Sequence, residues 1–254
     1  MMNISVPHQP MATVTMLVGD GVISEDLAGQ CAALGLRVAL LPDGRCDGAD
    51  GCILAGASSA GLVRRGMTPP FSGFVELGDE GVLGVGLRCF ETVRAGGLCL
   101  SLLTGQAYAL NTMELLSEGI RHSMNLPAGK VADQIDICMG EAIGNAVIHG
   151  NLGIPNHLRA TSKGFEHFRH VLHERLADPV LSRRRVEVNV MARGADFLTI
   201  TVSDQGHGFD LAGKLSRDVQ SDAKSGRGLG LIRKICASVL GEDEGRTLVM
   251  TFAR

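Results

Sequence analysis

Hydrophobic residues form short continuous runs before residue 95, and after it they recur first at helical and then at alternating spacing. Before that point, short apolar runs bounded by glycine, proline and aspartate predict buried strands. These strands are expected at 14–20, 37–43 and 51–56. A helix over 24–36 connects the first two, with Ser24 as its N-cap and Gly35 near its end. This order of elements predicts a small α/β domain over 12–95.

The β-α-β-β order of this first region resembles a response-regulator receiver domain. A receiver has an acidic pair after its first strand and a phosphorylatable aspartate after its third. This chain has only Asp20 at the first place, and Ala55 and Gly56 at the second. The resemblance therefore implies a degenerate module that does not accept phosphate, and the alternative is an unrelated small α/β domain. Residues 1–11 are expected to be a disordered start, and 64–73, with paired prolines, a loop.

From residue 96 the apolar spacing is first helical and then alternating. A strand over 97–103 opens this region, and helices over 106–127 and 130–149 follow it, with apolar residues every three or four positions. The later elements are expected to be a helix at 162–178, strands at 186–190 and 198–202 joined by a turn at 193–196, a helix at 229–240 and a strand at 247–254. Helices followed by antiparallel strands predict an α+β fold, a two-layer sandwich, over 96–254.

Polar side chains mark one face of the second of these helices. In the first motif, ICMGEAIGNAVIHGN (137–151), Glu141, Asn145 and His149 stand four residues apart and share a helix face. The apolar positions around them are expected to face a core, and they are Ile135, Met139, Ala142, Ile143, Ala146 and Val147. The polar stripe is either a solvated face or a site. His149 is expected to be a hydrogen-bonded residue at the helix end, which Gly150 should terminate.

Two glycine-rich motifs follow at the ends of predicted elements. The second motif, TVSDQGHGFD (201–210), places Asp204 directly after a strand, where its carboxylate can accept a hydrogen bond from an exocyclic amine such as that of adenine. The third motif, SGRGLGLI (225–232), leads into a helix, and its backbone N–H groups form an anion site suited to phosphates. Each motif taken alone is equally well explained by a turn or by a helix entry.

The order of the three motifs resembles that of the GHKL ATPases, the superfamily that includes gyrase B, MutL and the histidine kinases. The resemblance covers residues 96–254 and implies their Bergerat-type two-layer α/β sandwich. Within the superfamily, GEAIGNAVIHGN and VSDQGHGFD are most similar to the motifs of the anti-sigma-factor serine/threonine kinases, which act on STAS-domain antagonists. The segment 152–184 is an addition relative to the shortest members, and it leaves the partner surface open.

The resemblance implies a role for each motif residue. Asn145 would bind Mg²⁺ through its amide oxygen, and Glu141 would be the general base toward a protein hydroxyl or water. Asp204 would bind the adenine of ATP. The other nucleotide-binding residues would be Gly206 and Gly208 near the base, Gly226, Arg227, Gly228, Leu229 and Gly230 around the triphosphate, and Thr247 near the adenine. Residues 211–225 would form a lid. The cations expected to help neutralise the phosphates are Lys214, Lys224 and Arg227.

Composition excludes several classes of function. The formal charge is −3 and only 4% of residues are aromatic, which argues against nucleic acid or an anionic membrane as a partner. The 7 cysteines are scattered without CxxC pairs, so neither a disulfide framework nor a structural zinc site is expected. No apolar run reaches the roughly 20 residues that span a bilayer. Together with the lack of a secretory signal, this predicts a cytoplasmic protein.

Three functions remain open at this stage. The leading one is an ATP-dependent serine/threonine kinase that phosphorylates or sequesters a STAS-domain anti-anti-sigma protein; the resemblance also allows a sigma factor as a partner and a homodimer. The alternative is an idle ATP-binding adapter that regulates a protein partner. A two-component histidine kinase is disfavoured, because such enzymes need a phosphoacceptor histidine on an upstream helical hairpin, and only His122 lies on a predicted helix before the first motif.

Overall fold

A single mixed sheet of 9 strands organises the fold. The computed structural model describes residues 14–19, 23–41, 51–159, 162–209 and 227–254. The strands are β1 (Val14–Val18), β2 (Leu36–Leu40), β3 (Gly51–Gly56), β4 (Gly73–Glu76), β5 (Leu98–Leu103), β6 (Arg185–Arg193), β7 (Phe197–Ser203), β8 (Ser238–Glu242) and β9 (Thr247–Ala253). Their order across the sheet is β2-β1-β3-β4-β5-β6-β7-β9-β8.

Helices cover both faces of this sheet. They are α1 (Glu25–Ala33), α2 (Ala60–Gly66), α3 (Leu87–Arg94), α4 (Thr104–Ala109), α5 (Thr112–Ser123), α6 (Lys130–Asn145), α7 (Ser162–Ala177), α8 (Pro179–Ser182) and α9 (Arg227–Ile235). The predicted start of α1 is confirmed, because the Ser24 side chain accepts the N–H of Leu27 at 3.1 Å. Its predicted end is confirmed too, since Gly35 directly beyond it has a φ of +66°.

The N-terminal half of the sheet, β2-β1-β3-β4-β5, is parallel. Strands of a parallel sheet are buried on both faces, which explains why VTMLV and CILAG are almost continuously apolar. The order 2-1-3-4-5 is that of flavodoxin-like doubly wound sheets, while the receiver resemblance itself stays a prediction. One face packs on α1 and α3 through Leu27, Cys31 and Phe90. The other face packs on α2 through Val63.

The C-terminal half, β5-β6-β7-β9-β8, is antiparallel. The predicted alternation is confirmed: the buried positions are Val186, Val188, Val190, Leu198, Ile200 and Val202. They form one core with apolar residues of α5 and α6, among them Leu116, Ile135 and Met139. Helices packed on one face of an antiparallel sheet are the α+β arrangement that the sequence predicts for this region.

Strand β5 belongs to both halves. It pairs in parallel with β4, with Phe74 opposite Leu100, and antiparallel with β6, with Leu100 opposite Val188. The sequence predicts this strand as the opening of the C-terminal region, and pairing with β4 is an addition that only the tertiary structure supplies. The larger hydrophobic core consequently extends without a break from Leu54 of β3 to Met250 of β9.

Several predicted elements differ from the observed ones. The helix expected over 106–127 is two helices, α4 and α5, because Leu110 has an extended backbone with a ψ of 153°. The helix expected over 229–240 ends at Ile235, and its last residues instead form β8, which pairs with β9. The expected loop 64–73 begins with the last turn of α2. The segment 238–240 was compatible with a helix or a strand, and pairing with β9 selected the strand.

The described cysteines are of two kinds. Cys31, Cys89, Cys99, Cys138 and Cys236 are free thiols. Cys52, which is completely buried in β3, is disulfide-bonded. The spacing of cysteines along a sequence does not show which of them come close in space, so the sequence could not single out this residue.

A buried charged cluster lies where the two halves of the sheet meet. The Arg185 guanidinium, only 3% exposed, donates to the backbone oxygens of Glu76 at 3.0 Å and Gly81 at 3.3 Å. Glu187 accepts the N–H of Gly86 at 2.8 Å and the Ser101 hydroxyl at 3.0 Å. Burial raises the pKa of both Glu76 and Glu187 and lowers that of Arg185. The cluster therefore needs its one guanidinium to offset two buried carboxyl groups.

We predict that Arg185→Met destabilises the protein by about 3–5 kcal/mol at pH 7, because it leaves buried carboxylates without a cation. The loss should shrink near pH 5, since the raised pKa values let these carboxyl groups take up protons. Urea denaturation of the wild type and the variant at pH 7 and at pH 5 measures the two losses. The matched control is Arg183→Met, which removes an ion pair to Asp79 at 2.6 Å whose arginine is 62% exposed and should cost less than about 1 kcal/mol. Equal losses in the two variants would contradict this account.

Candidate functional site

The first motif forms α6 and the turn that follows it. The predicted core face is confirmed, and Ile135, Met139, Ala142, Ile143, Ala146 and Val147 are all buried. On the other face Glu141 is exposed, and Asn145 and His149 are half-buried. Asn145 is the last residue of α6. The polar stripe therefore lies at the surface, as its spacing predicts.

The end of this helix differs from the prediction. Gly150 does not terminate it, because a π-helical turn continues through Ala146–Asn151. His149 lies in that turn, where its Nδ1 is hydrogen-bonded to the backbone oxygen of Ile154, so its predicted bonding at the helix end is confirmed. A π-helical turn is wider than an α-helical one and frequently occurs at functional sites. Here it carries Gly150 and Asn151 toward the second motif.

The second motif approaches this turn very closely. A Cβ atom on Gly150 would lie 2.4 Å from Cγ of Asp204, and one on Gly206 would lie 2.2 Å from the backbone oxygen of Gly150. Only residues without a Cβ fit at such separations. Gly208, with a φ of +71°, packs in the same way on Glu244, at the turn before β9. The glycines of the second motif thus join the end of the first-motif helix to the β8–β9 turn.

Asp204 is held within this contact. Its backbone N–H donates to the oxygen of Arg246 at 2.9 Å, and its Oδ1 accepts the N–H of Gly206 at 2.8 Å. Burial raises the pKa of the Asp204 carboxyl group to about 6, against the opposing effects of the Gly206 hydrogen bond and of Arg246 and Arg184. A carboxyl group with this pKa changes its charge near neutral pH.

Asn151 fixes the relative position of the first and second motifs, and the sequence did not single it out. Its side chain is completely buried. The Nδ2 group donates to the Thr104 hydroxyl at 2.7 Å and to the Arg185 backbone oxygen at 2.9 Å, while Oδ1 accepts the N–H of Gln205 at 2.7 Å. One amide therefore ties the π-helical turn to α4, β6 and the residue after Asp204. In the sequence, this role of Asn151 is indicated only by its place beside Gly150 at the end of the first motif.

Gln205 extends the same network into the N-terminal half, and the sequence did not indicate this role either. Its Oε1 accepts the N–H of Arg185 at 2.8 Å, and its Nε2 donates to the backbone oxygen of Gly84 at 2.9 Å. A second contact joins Arg88 of α3 to Glu242 of β8 at 2.7 Å. The second motif and the β8–β9 turn therefore rest directly against the loop and helix that follow β4.

The third motif meets the first along α9. A Cβ on Gly228 would lie 2.2 Å from Oε2 of Glu141, so the exposed carboxylate lies against the first turn of α9. Leu229 and Gly230, the next two motif residues, are half-buried. Arg227 begins the helix. Gly226 and the predicted lid 211–225, with Lys214 and Lys224, lie outside the described residues.

Thr247 lies at the start of β9, on the other side of the second motif. It pairs with Ser203, the residue before Asp204, across β7 and β9. Its hydroxyl lies 2.7 Å from Oδ2 of Asp243 and 3.0 Å from the hydroxyl of Ser203, and the residue is only 3% exposed. Thr247 therefore adjoins the predicted adenine-binding segment, and its hydroxyl is engaged by neighbouring side chains.

The three motifs thus converge on one surface, formed by the end of α6, the loop after β7 and the start of α9. A comparison with known families matches residues 110–252, more than half of the chain, to the histidine kinase-like ATPase domain. This chain belongs to that family. A search of the curated proteins finds no match. All three motifs lie within the matched residues, and this family membership places the chain in the GHKL superfamily and makes its domain an ATP-binding one.

The match also shows where the ATPase domain lies relative to the sheet. The histidine kinase-like ATPase domain begins after β5 in the match, at residue 110, and therefore includes α5 to α9 and β6 to β9. The residues before it complete the same sheet through β5 and contact the second motif through Gln205. Among the helices with described positions, none is both long and apolar enough to cross a bilayer.

We predict that Asn151→Ala destabilises the ATPase domain by about 3 kcal/mol, because two buried groups and one partly buried group lose their hydrogen-bond partner. The free energy of unfolding from urea titration measures this. Asn156→Ala is the matched control: it makes the same substitution at an exposed position nearby and should cost less than about 0.5 kcal/mol. If the two variants were equally stable, Asn151 would not be the link described above.

Proposed function

We propose that this protein is an ATP-dependent serine/threonine protein kinase of the partner-switching type, acting on a STAS-domain anti-anti-sigma protein. The observation that carries the proposal is the position of the Glu141 carboxylate. It is exposed, lies one helical turn before Asn145 on α6, and contacts Gly228 in the motif suited to phosphates. A carboxylate there is accessible to a hydroxyl group of another protein while it borders the expected γ-phosphate position.

In the proposed reaction Glu141 acts as the general base. Its carboxylate takes the proton from a serine hydroxyl as the serine oxygen attacks the γ-phosphorus of ATP. The bond between that phosphorus and its bridging oxygen breaks, and ADP leaves. Positioning and electrostatic stabilisation supply most of the catalysis in such transfers. The backbone N–H groups at the start of α9 would orient the phosphates.

The Asn145 side chain fits a Mg²⁺ ion. Its amide is half-buried, and among the residues with described positions the side chain has no hydrogen-bond partner. An amide oxygen at the end of a helix is a ligand type that Mg²⁺ accepts, with water and phosphate oxygens completing the coordination. A bound Mg²⁺ would neutralise charge on the phosphates. Asn145 would hold it one turn from the proposed base.

Asp204 would bind the adenine. One of its carboxylate oxygens accepts the Gly206 N–H, and the other keeps the capacity to accept a hydrogen bond from the adenine amino group. The neighbouring Thr247 would contribute to this end of the site through Ser203 and Asp243, which hold its hydroxyl.

A second candidate function is an ATP-binding adapter without phosphoryl transfer. It is favoured by the contacts between the second motif and the N-terminal half, through Gln205 to Gly84 and through Arg88 to Glu242. An adapter needs its nucleotide site to be linked to another part of the molecule, and these contacts supply such a link. In this case Glu141 would have no catalytic role.

A comparison of two variants tests the kinase proposal. Glu141→Gln should keep its ATP affinity within about threefold and lose phosphoryl transfer by roughly 10²–10⁴-fold, the range that general base catalysis contributes. Asp204→Ala should lose ATP binding itself. Calorimetry with Mg²⁺-ATP measures binding, and mass spectrometry of recombinant STAS-domain proteins from the same genome measures transfer. Tight ATP binding with no transfer to any of them would favour the adapter. Full transfer by Glu141→Gln would refute the role of this base.

The raised pKa of Asp204 predicts a pH dependence for ATP binding. If the ionised carboxylate accepts the adenine amine, the dissociation constant should rise as pH falls through about 6, approaching tenfold per unit. Asp204→Asn keeps an acceptor oxygen but cannot titrate, so its affinity should vary much less between pH 7 and 5. Parallel pH profiles of ATP affinity for the two proteins would contradict the assignment.

The raised pKa of Asp204 also affects folding without nucleotide. It makes the free energy of unfolding decrease as pH rises from about 4 to 6.

A further inference from the structure

The three consecutive arginines that lead into β6 each have a different environment. Arg183 is exposed and forms an ion pair with Asp79 at 2.6 Å. Arg185 is buried in the charged cluster between the two halves of the sheet. Arg184 is half-buried, and its Nη1 donates to the backbone oxygen of Asn151 at 2.7 Å. The side chain of the middle arginine thus reaches the π-helical turn that follows α6.

Arg184, Asn151 and Thr104 form a closed ring of hydrogen bonds. The Arg184 guanidinium donates to the Asn151 backbone oxygen, and the Asn151 amide donates to the Thr104 hydroxyl at 2.7 Å. That hydroxyl donates to the Arg184 backbone oxygen at 2.7 Å, and the Thr104 backbone N–H donates to the same oxygen at 2.8 Å. The guanidinium is the one contribution of the Arg184 side chain to the ring, so the remaining bonds are retained when this side chain is replaced.

The ring holds the backbone on two sides of Asp204. Asn151 accepts the N–H of Gln205, the residue after Asp204, at 2.7 Å. Gly150, which precedes Asn151, lies so close to Asp204 that a Cβ on it would be 2.4 Å from the carboxyl carbon. A guanidinium that fixes the Asn151 backbone oxygen therefore also fixes Gly150 against Asp204. Its positive charge, with that of Arg246, opposes the effect of burial on the pKa of Asp204.

We infer that Arg184 is a positioning residue for the proposed adenine site, which fixes the π-helical turn against Asp204 and supplies a cation that favours the ionised carboxylate. It acts through Asn151 and Gly150 and requires no contact with the nucleotide. The ionised carboxylate is the form expected to accept the adenine amino group, so Arg184 should raise ATP affinity at neutral pH. This effect on ATP rests on the proposed function, whereas the effect on Asp204 does not.

In the described part of the chain, three elements pack around the loop that carries Asp204. They are the π-helical turn, the residue before β6 and the β8–β9 turn. The titratable or charged residues of these elements and of the loop itself are His149, Arg184, His207, Asp243, Glu244 and Arg246. Arg246 pairs with Glu244 at 3.6 Å, and Arg184 forms no ion pair with any described residue. Arg184 therefore supplies the less compensated of the two positive charges near Asp204.

The first measurement is an NMR titration of the Asp204 side-chain carboxyl carbon in the full chain without nucleotide, assigned with Asp204→Asn. In Arg184→Met the midpoint should rise above the wild-type value of about 6, by roughly 0.5–1 pH unit, because a cation that favours the ionised form is lost. Arg184→Lys keeps the charge and should restore at least half of this shift. The matched control is Arg183→Met, which removes the neighbouring exposed arginine and should leave the midpoint unchanged.

The second measurement is calorimetry of Mg²⁺-ATP binding across the same pH range. Arg184→Met should bind ATP roughly three- to tenfold more weakly at pH 7, because both the fixed position and part of the ionised fraction of Asp204 are lost. The fall of its affinity toward low pH should begin at higher pH than in the wild type, by the same displacement as the NMR midpoint. A purely structural role would lower the stability of the variant and leave both pH profiles in place.

The two measurements separate this inference from the proposed function. An unchanged Asp204 midpoint in folded Arg184→Met would overturn the inference, and so would a raised midpoint with unchanged ATP affinity. Absence of ATP binding by the wild type would instead refute the proposed function and leave the effect on Asp204 standing, because the titration uses no nucleotide. If Arg184→Met does not fold, Arg184→Gln, which is neutral but keeps a polar side chain, takes its place in both measurements.

Discussion

Strand β5 is hydrogen-bonded along both edges, and the rest of the structure depends on this double pairing. One edge is parallel to β4 and the other antiparallel to β6, so Leu100 lies between Phe74 and Val188. Because backbone groups buried in a sheet must be paired, β5 cannot release either neighbour without leaving unpaired donors and acceptors in the core. The α/β layer before β5 and the ATPase domain after it therefore share one sheet and one continuous hydrophobic core.

This shared sheet explains why the two halves meet at the second motif. The loop after β4 lies beside the start of β6, where Arg185 binds the backbone oxygens of Glu76 and Gly81. The backbone of Arg185 in turn binds Gln205, the residue after Asp204. A change in the first layer can thus reach the second motif through contacts of one or two residues. Such a route would suit the proposed kinase and the alternative adapter alike.

The site itself is built by close approach of backbones. Gly150, Gly206 and Gly228 each face a polar group at a distance that no side chain would allow. The buried amide of Asn151 holds the first two together. The same packing removes Asp204 from water and raises the pKa of its carboxyl group to about 6. The close packing of Gly150 on Asp204 and the raised pKa of Asp204 thus occur at the same contact, beside the wide turn that follows α6.

The sequence by itself determined the elements with strong periodicity and the order of the motifs. The buried face of α6, the alternating strands β6 and β7 and the glycine-rich motifs could be predicted, because residue spacing encodes which side chains share a face. Tertiary structure decided what depends on residues distant in the chain: β8 instead of a longer helix, the second partner of β5, and the network of Asn151 and Gln205. A local pattern cannot contain these, since each requires a neighbour that only folding brings into place.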